Sequence, residues 1–127
     1  MSLSDVKLPE KLENLGSYVF YNCISLEEIT IPGTLTKSGS SSFAKSGIKK
    51  ATLENGSTTV FANAFFDANM LEKVIIPDTV TEIGSQAFRN CIKLKSVKLP
   101  ANLETIGSSA FLDTRLESIS IPQTVVT

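Results

Sequence analysis

The sequence predicts a solenoid, a chain that winds repeatedly through one path and buries its apolar edge against its own neighbouring windings. Two observations carry this. Phe20, Phe43, Phe65, Phe88 and Phe111 lie 23, 22, 23 and 23 residues apart. All five prolines (Pro9, Pro32, Pro77, Pro100 and Pro122) fall at one other phase of the same period. With 127 residues, positions 1–127 form one domain by length, large enough to bury a continuous core.

Alignment on the phenylalanines gives five full units and the start of a sixth, opening at Leu3, Leu26, Ile48, Leu71, Leu94 and Leu116. The unit from Leu71 is the most regular, with Val74, Ile76, Pro77, Val80, Ile83, Gly84, Ala87, Phe88 and Cys91 at its marked positions. Val74 and Ile76 alternate with residues expected to be exposed, the period of a strand with one buried face. Their counterparts are Val6 and Leu8, Ile29 and Ile31, Ala51 and Leu53, Val97 and Leu99, and Ile119 and Ile121. These predict about six short strands. Proline follows directly; it cannot donate a ladder hydrogen bond, so it ends the strand and turns the chain.

Gly16, Gly39, Gly84 and Gly107 share a later phase, where a bend needs either positive φ or close approach. Ser17, Ser40, Ser85 and Ser108 come next and suit the N-cap of one helical turn. The segment is too short for an α-helix, so a single 3₁₀ turn is expected. Two residues past each Phe stand Asn22, Lys45, Asp67, Asn90 and Asp113, four of them turn-forming Asx. The two shorter units lose their residue between Phe43 and Ile48 and between Phe111 and Leu116. Length variation confined to one turn leaves the strands in register.

The runs LEKVIIPDTVTEIGSQAFRNCIKL and SVKLPANLETIGSSAF resemble the BspA-like leucine-rich repeats of bacterial and protist surface proteins, and the likeness covers essentially the whole chain. It implies a right-handed leucine-rich repeat solenoid, an α/β-type superhelix that is mostly β, with a parallel sheet on one side and single 3₁₀ turns opposite. It also implies extracellular or cell-surface location and adhesion or host-protein binding, and it carries over no catalytic residue.

Two units depart from the pattern. The third has Glu54 for proline and Phe61 for glycine, and runs Glu54-Asn55-Gly56-Ser57 through the turn, where Asn-Gly favours a different tight turn. The second places Ser38 where others have Leu15, Val60, Ile83 and Ile106. The serine- and glycine-rich stretch from Lys37 to Gly47 is expected to be the loosest part of the chain. Phe61 either fills space near the missing glycine, the favoured reading, or lies exposed beside Phe66 as a contact. Asn55-Gly56-Ser57 also matches an N-glycosylation acceptor, a short pattern common by chance.

Composition narrows the function. Twelve basic and 13 acidic residues leave a net charge of −1, which argues against nucleic acid. The nearest thing to a basic patch, Lys93, Lys95 and Lys98, reads as a solvated face. No apolar run reaches the roughly 20 residues that span a bilayer, and no signal peptide is present, so membrane insertion is not expected. The abrupt start at Met1 and the stop within a repeat read as a fragment of a longer protein. Histidine is absent, which removes the usual general base and the commonest transition-metal ligand. Glu27 and Glu28, adjacent on a strand, point to opposite sides. An enzyme is therefore not expected, nor a metal or cofactor. Cys23 and Cys91, three units apart at one phase, should lie about 14 Å from each other at strand spacing. That is beyond the reach of a disulfide, so they read as small core residues.

Stacked charges at Glu27, Lys49, Glu72, Lys95 and Glu117, following Ser4, alternate in sign and should attract between windings. The outward strand positions supply the candidate partner-binding residues: Glu28, Lys50 and Lys73 in one column, and Thr30, Thr52, Ile75 and Lys98 in the next. Ile75 is the apolar member, and β-branched residues also simply suit strands. The functional expectation is a non-enzymatic interaction module whose sheet meets a protein or glycan. The alternative is a structural spacer, a repeat array that associates end-on with itself.

Overall fold

The computed structural model of the chain describes residues 8–39, 41–116 and 125. Among them the chain winds as a solenoid of parallel strands without a helix. Eight short strands occur: β1 (Asn14–Leu15), β2 (Glu28–Ile31), β3 (Lys37–Ser38), β4 (Lys50–Leu53), β5 (Thr59–Val60), β6 (Lys73–Ile75), β7 (Glu82–Ile83) and β8 (Thr105–Ile106). They fall into two rows. One is the sheet β2-β4-β6; the other comprises the pair β1-β3 and the sheet β5-β7-β8. Every pairing is parallel and joins equivalent positions of successive coils, such as Ile29 with Ala51 with Val74.

The first row is the expected one, in shortened form. β2 buries Ile29 and Ile31 and exposes Glu28 and Thr30, as alternation requires. Leu99 keeps its buried place, yet Val97–Leu99 is not a strand, so this row holds three strands among the described residues rather than about six. Val6, Ile119 and Ile121 lie outside the described residues. The shortened turn before Ile48 leaves register intact: the Lys49 N–H still donates to the Glu27 carbonyl at 2.7 Å.

The second row was not anticipated. Its strands are two residues long, too short for alternation to register, and it runs beside the glycine phase. There the glycine is required by close approach, not by positive φ: a Cβ on Gly84 would lie 2.6 Å from the Ala62 amide nitrogen of the coil before. The Gly84 N–H in turn donates to the Val60 carbonyl at 2.7 Å, and Gly39 and Gly107 do the same to Leu15 and Ile83. Phe61 stands where that glycine would be, and the row breaks there, between β3 and β5. A side chain at this phase has no room between coils, so Phe61 acts as a wedge at this corner alone, while the Phe43–Phe65 stack keeps the spacing of the other coils. It packs against the core, as the filling reading expects. Together with Ser38, Leu35, Phe43, Leu53 and Phe65 it borders a small apolar cavity of about 20 Å³.

The third side takes a different form from the expected 3₁₀ turn. Hydrogen bonds from i+3 to i do occur, as from Cys91 to Phe88 at 3.2 Å and from Arg89 to Gln86 at 3.3 Å. They alternate with bonds between coils: the Gln86, Phe88 and Asn90 N–H groups donate to Ser108, Ala110 and Leu112. Alternate amides can face the next coil only if the backbone flips between them. Residues two before each Phe (Tyr18, Ser41, Asn63, Gln86, Ser109) and two after (Asn22, Lys45, Asp67, Asn90, Asp113) accordingly have φ of 56–63°. The left-handed conformation costs a non-glycine residue about 1–2 kcal/mol; a net hydrogen bond of about 1 kcal/mol offsets much of that. With no helix to cap, Ser17, Ser85 and Ser108 are exposed.

The five phenylalanine rings form one stack through the core. Successive centroids are 5.5, 5.5, 5.6 and 5.4 Å apart, with planes within 15° of parallel. Leu26, Ile48, Leu71 and Leu94 form a second fully buried column. Cys23 and Cys91 are buried and are not joined by a disulfide, as their spacing predicts. Cys91 Sγ donates to the Phe65 carbonyl at 3.2 Å, and burial pushes its thiol up to about 12. The serine-rich stretch is bonded both within itself and to the coil before it. Ser42, buried in the alanine column, donates to the Gly16 carbonyl at 2.8 Å and shares a hydrogen bond with Ser38 at 3.1 Å.

Candidate binding face

The outward side of β2-β4-β6 brings most of the predicted residues together. Parallel register sets Glu28 beside Lys50 beside Lys73, and Thr30 beside Thr52 beside Ile75. Their side chains share a face because the inward positions between them are taken by Ile29, Ala51 and Val74. Ile75 is 39% exposed, a β-branched side chain left in water between two threonine or lysine neighbours. Lys98 is exposed but lies beyond the last strand of this sheet, so six of the seven candidates occupy the ordered face and the seventh its flank.

The electrostatics of this face are uneven. Lys49 and Glu27 close an ion pair at 3.5 Å, both well exposed. It is the one ion pair among the described residues, so the expected alternating ladder closes there at a single rung; Ser4 and Glu117 lie outside the described residues. An exposed pair contributes roughly 0–1 kcal/mol, which leaves the register to the backbone. Lys50 and Lys73, directly opposite each other, oppose pairing of β4 with β6. Further along the same side, Glu72, Ile92, Lys93, Lys95 and Arg115 line an open groove of about 580 Å³. The sequence showed those lysines as a cluster but not the groove, because Arg115 arrives from the next coil. Among the described residues no group of three His, Cys, Asp or Glu is placed to hold a metal. No helix there is long and apolar enough to cross a membrane.

Two contacts between a cation and an aromatic ring lie on the third side, the first exposed and the second half-buried. Lys45 Nζ sits 5.8 Å from the Tyr21 ring centroid, and the Arg89 guanidinium 6.0 Å from that of Phe66. Phe66 and Phe61 are on separate sides of the coil, so they do not form a joint contact site.

A solenoid that stacks one Phe per coil and pairs its short strands in parallel between successive coils is a repeat architecture, and the chain belongs to the BspA type leucine rich repeat region family. That repeat matches in six copies over residues 1–74 and 58–127. Among solved structures, the chain is similar to a leucine-rich repeat protein from Bacteroides ovatus ATCC 8483, with 34% identity, a TM-score of 0.87 and coverage of 95% of this chain and 32% of that one. A leucine-rich repeat protein from Eubacterium ventriosum ATCC 27560 matches at 22% identity and TM-score 0.69, over 98% of this chain and 40% of that one. A leucine rich cell surface protein from Faecalibacterium prausnitzii A2-165 matches at 22% identity and TM-score 0.53, over 89% and 46%. The last two likenesses show the fold alone. The chain thus spans 32–46% of the length of these relatives. No curated protein sequence matches it.

Proposed function

We propose that the chain is a non-enzymatic protein-interaction module of a bacterial surface protein, acting in adhesion or host-protein binding through the outward face of β2-β4-β6. The observation that carries this reading is Ile75, an apolar side chain held in solvent on the sheet beside the like-charged neighbours Lys50 and Lys73. A partner with an apolar contact and nearby carboxylates would cover the first and neutralise the second. Surface location is supported by the repeat family and by the surface protein from Faecalibacterium prausnitzii that shares the fold.

The face is small. Three strands about 4.8 Å apart, each exposing about 13 Å, offer about 190 Å². A stable interface takes about 800 Å² from each partner. Binding through this face is therefore weak per copy and gains strength from the flanking basic groove and from many copies acting together.

Adhesion of beads coated with the chain to cultured epithelial cells tests the proposal. Wild-type beads should adhere, and Ile75→Glu and Lys73→Glu should each reduce adhesion with the melting temperature unchanged. Equal adhesion of all three would remove this face from consideration. Absence of adhesion, together with sedimentation that rises with concentration, would favour the self-associating spacer instead.

A further inference from the structure

Asn55 is exposed and is followed by Gly56, the one asparagine of the chain with a glycine after it. The turn it occupies is unlike those of the proline-bearing coils. In coils 1 and 4 the carbonyl one residue past the proline faces the following coil: Glu10 O accepts from Thr34 Oγ1 at 3.2 Å, and Asp78 O from Asn102 Nδ2 at 3.3 Å. In coil 3 the Asn55 carbonyl faces backward, onto Gly33, and Gly56 has φ of 103°. The peptide plane between Asn55 and Gly56 is flipped, and its N–H points forward into coil 4.

There it meets Thr79. The Gly56 N–H donates to Thr79 Oγ1 at 3.1 Å, while the same hydroxyl donates its proton to the Ser57 carbonyl at 2.6 Å. Thr79 thus presents a lone pair, not a proton, to Gly56.

We propose that Asn55 is a site of spontaneous deamidation whose rate is set by Thr79 from the neighbouring coil. The chemistry is intramolecular and needs only water. The Gly56 backbone nitrogen loses its proton to solvent base and attacks Cγ of Asn55. An N–Cγ bond forms, the Cγ–Nδ2 bond breaks and ammonia leaves, giving a five-membered imide. Water then adds to either imide carbonyl and opens the ring to aspartate or isoaspartate, with no change of oxidation state. Glycine at position 56 leaves the nucleophile unshielded by a side chain. Thr79 restrains it by occupying the amide proton and holding the nitrogen away from Cγ. Attack must therefore await separation of coils 3 and 4 at this turn, a local opening of the kind that governs amide exchange. The product carries a new negative charge beside Glu54 and, as isoaspartate, one extra backbone atom in a turn that stacking coils hold in register.

The test is peptide mapping by mass spectrometry after incubation of the folded chain in mildly alkaline buffer. Wild type should convert at Asn55 several-fold more slowly than the chain unfolded in urea. Thr79→Val should raise the folded-state rate several-fold, and Thr79→Ser, which keeps the hydroxyl, should not. Hydrogen exchange on the wild type provides the measurement that needs no variant: the Gly56 amide should be protected. An unprotected Gly56 amide, a wild-type rate equal to that of the unfolded chain, an unchanged rate in Thr79→Val, or equal rates in the valine and serine variants would each overturn the proposal.

Discussion

Gly33 lies directly against the carbonyl oxygen of Asn55, one coil further on, so that any Cβ at position 33 would overlap it. The two are linked by the missing proline. Where the other turns begin with Pro32, Pro77 or Pro100, coil 3 has Glu54, whose N–H is free to donate to the Ile31 carbonyl at 2.9 Å. The turn that follows from that bond is the flipped one, and its reversed carbonyl needs a glycine beneath.

Gly33→Ala should therefore destabilise the chain by about 1–3 kcal/mol, the range for overpacking at a site that cannot relax. The cost should fall well below that when coil 3 is given the turn of coil 4, through Glu54→Pro, Asn55→Asp and Gly56→Thr. Urea denaturation of the single and combined variants measures the coupling.

The break in the second row should be repairable. Ser38→Val, Ser42→Ala and Phe61→Gly together copy the coil around Val60, Gly84 and Ala87, fill the cavity at Ser38 and remove the wedge. Thermal melting should show a gain of about 0.5–2 kcal/mol, the usual yield of cavity filling and consensus changes. Hydrogen exchange should show new protection at residue 61, whose amide can then reach the Ser38 carbonyl.

Burial, outweighing the lowering effect of a hydrogen bond with Ala68, raises the Cys91 thiol from 9.0 to about 12. The thiol should resist maleimide at pH values where free cysteine reacts, and label only on unfolding. The folded state holds this proton more tightly than the unfolded chain. The associated stabilisation is thus complete below about 9.0 and declines as pH rises towards about 12. Cys91→Ala should flatten that alkaline decline in a pH series of melting temperatures; an unchanged decline would contradict the assignment.

Much of this architecture is legible in the sequence because columns repeat. Five phenylalanines at one phase can be alike only if they share one environment, and the same holds for the leucine column and for Cys23 and Cys91. What escaped lies in features that a single residue type does not mark. The left-handed residues after each Phe are mostly Asx and could be suspected. Those before it include Tyr18 and Gln86, which have no such preference of their own; Gln86 takes that conformation where its N–H bonds to Ser108 of the next coil. The candidate face was visible as outward strand positions, but not the loss of the strand at Val97–Leu99, nor the groove beside Lys95. The groove depends on Arg115 arriving from the next coil.

The rings themselves offer the most direct test of the stacking. In protein labelled only at phenylalanine ring protons, nuclear Overhauser contacts should link the Phe65 ring to those of Phe43 and Phe88, whose centroids lie 5.5 and 5.6 Å away, and to neither Phe20 nor Phe111. A Phe65 ring without contact to either neighbour, or in contact with Phe20 or Phe111, would contradict one winding per phenylalanine.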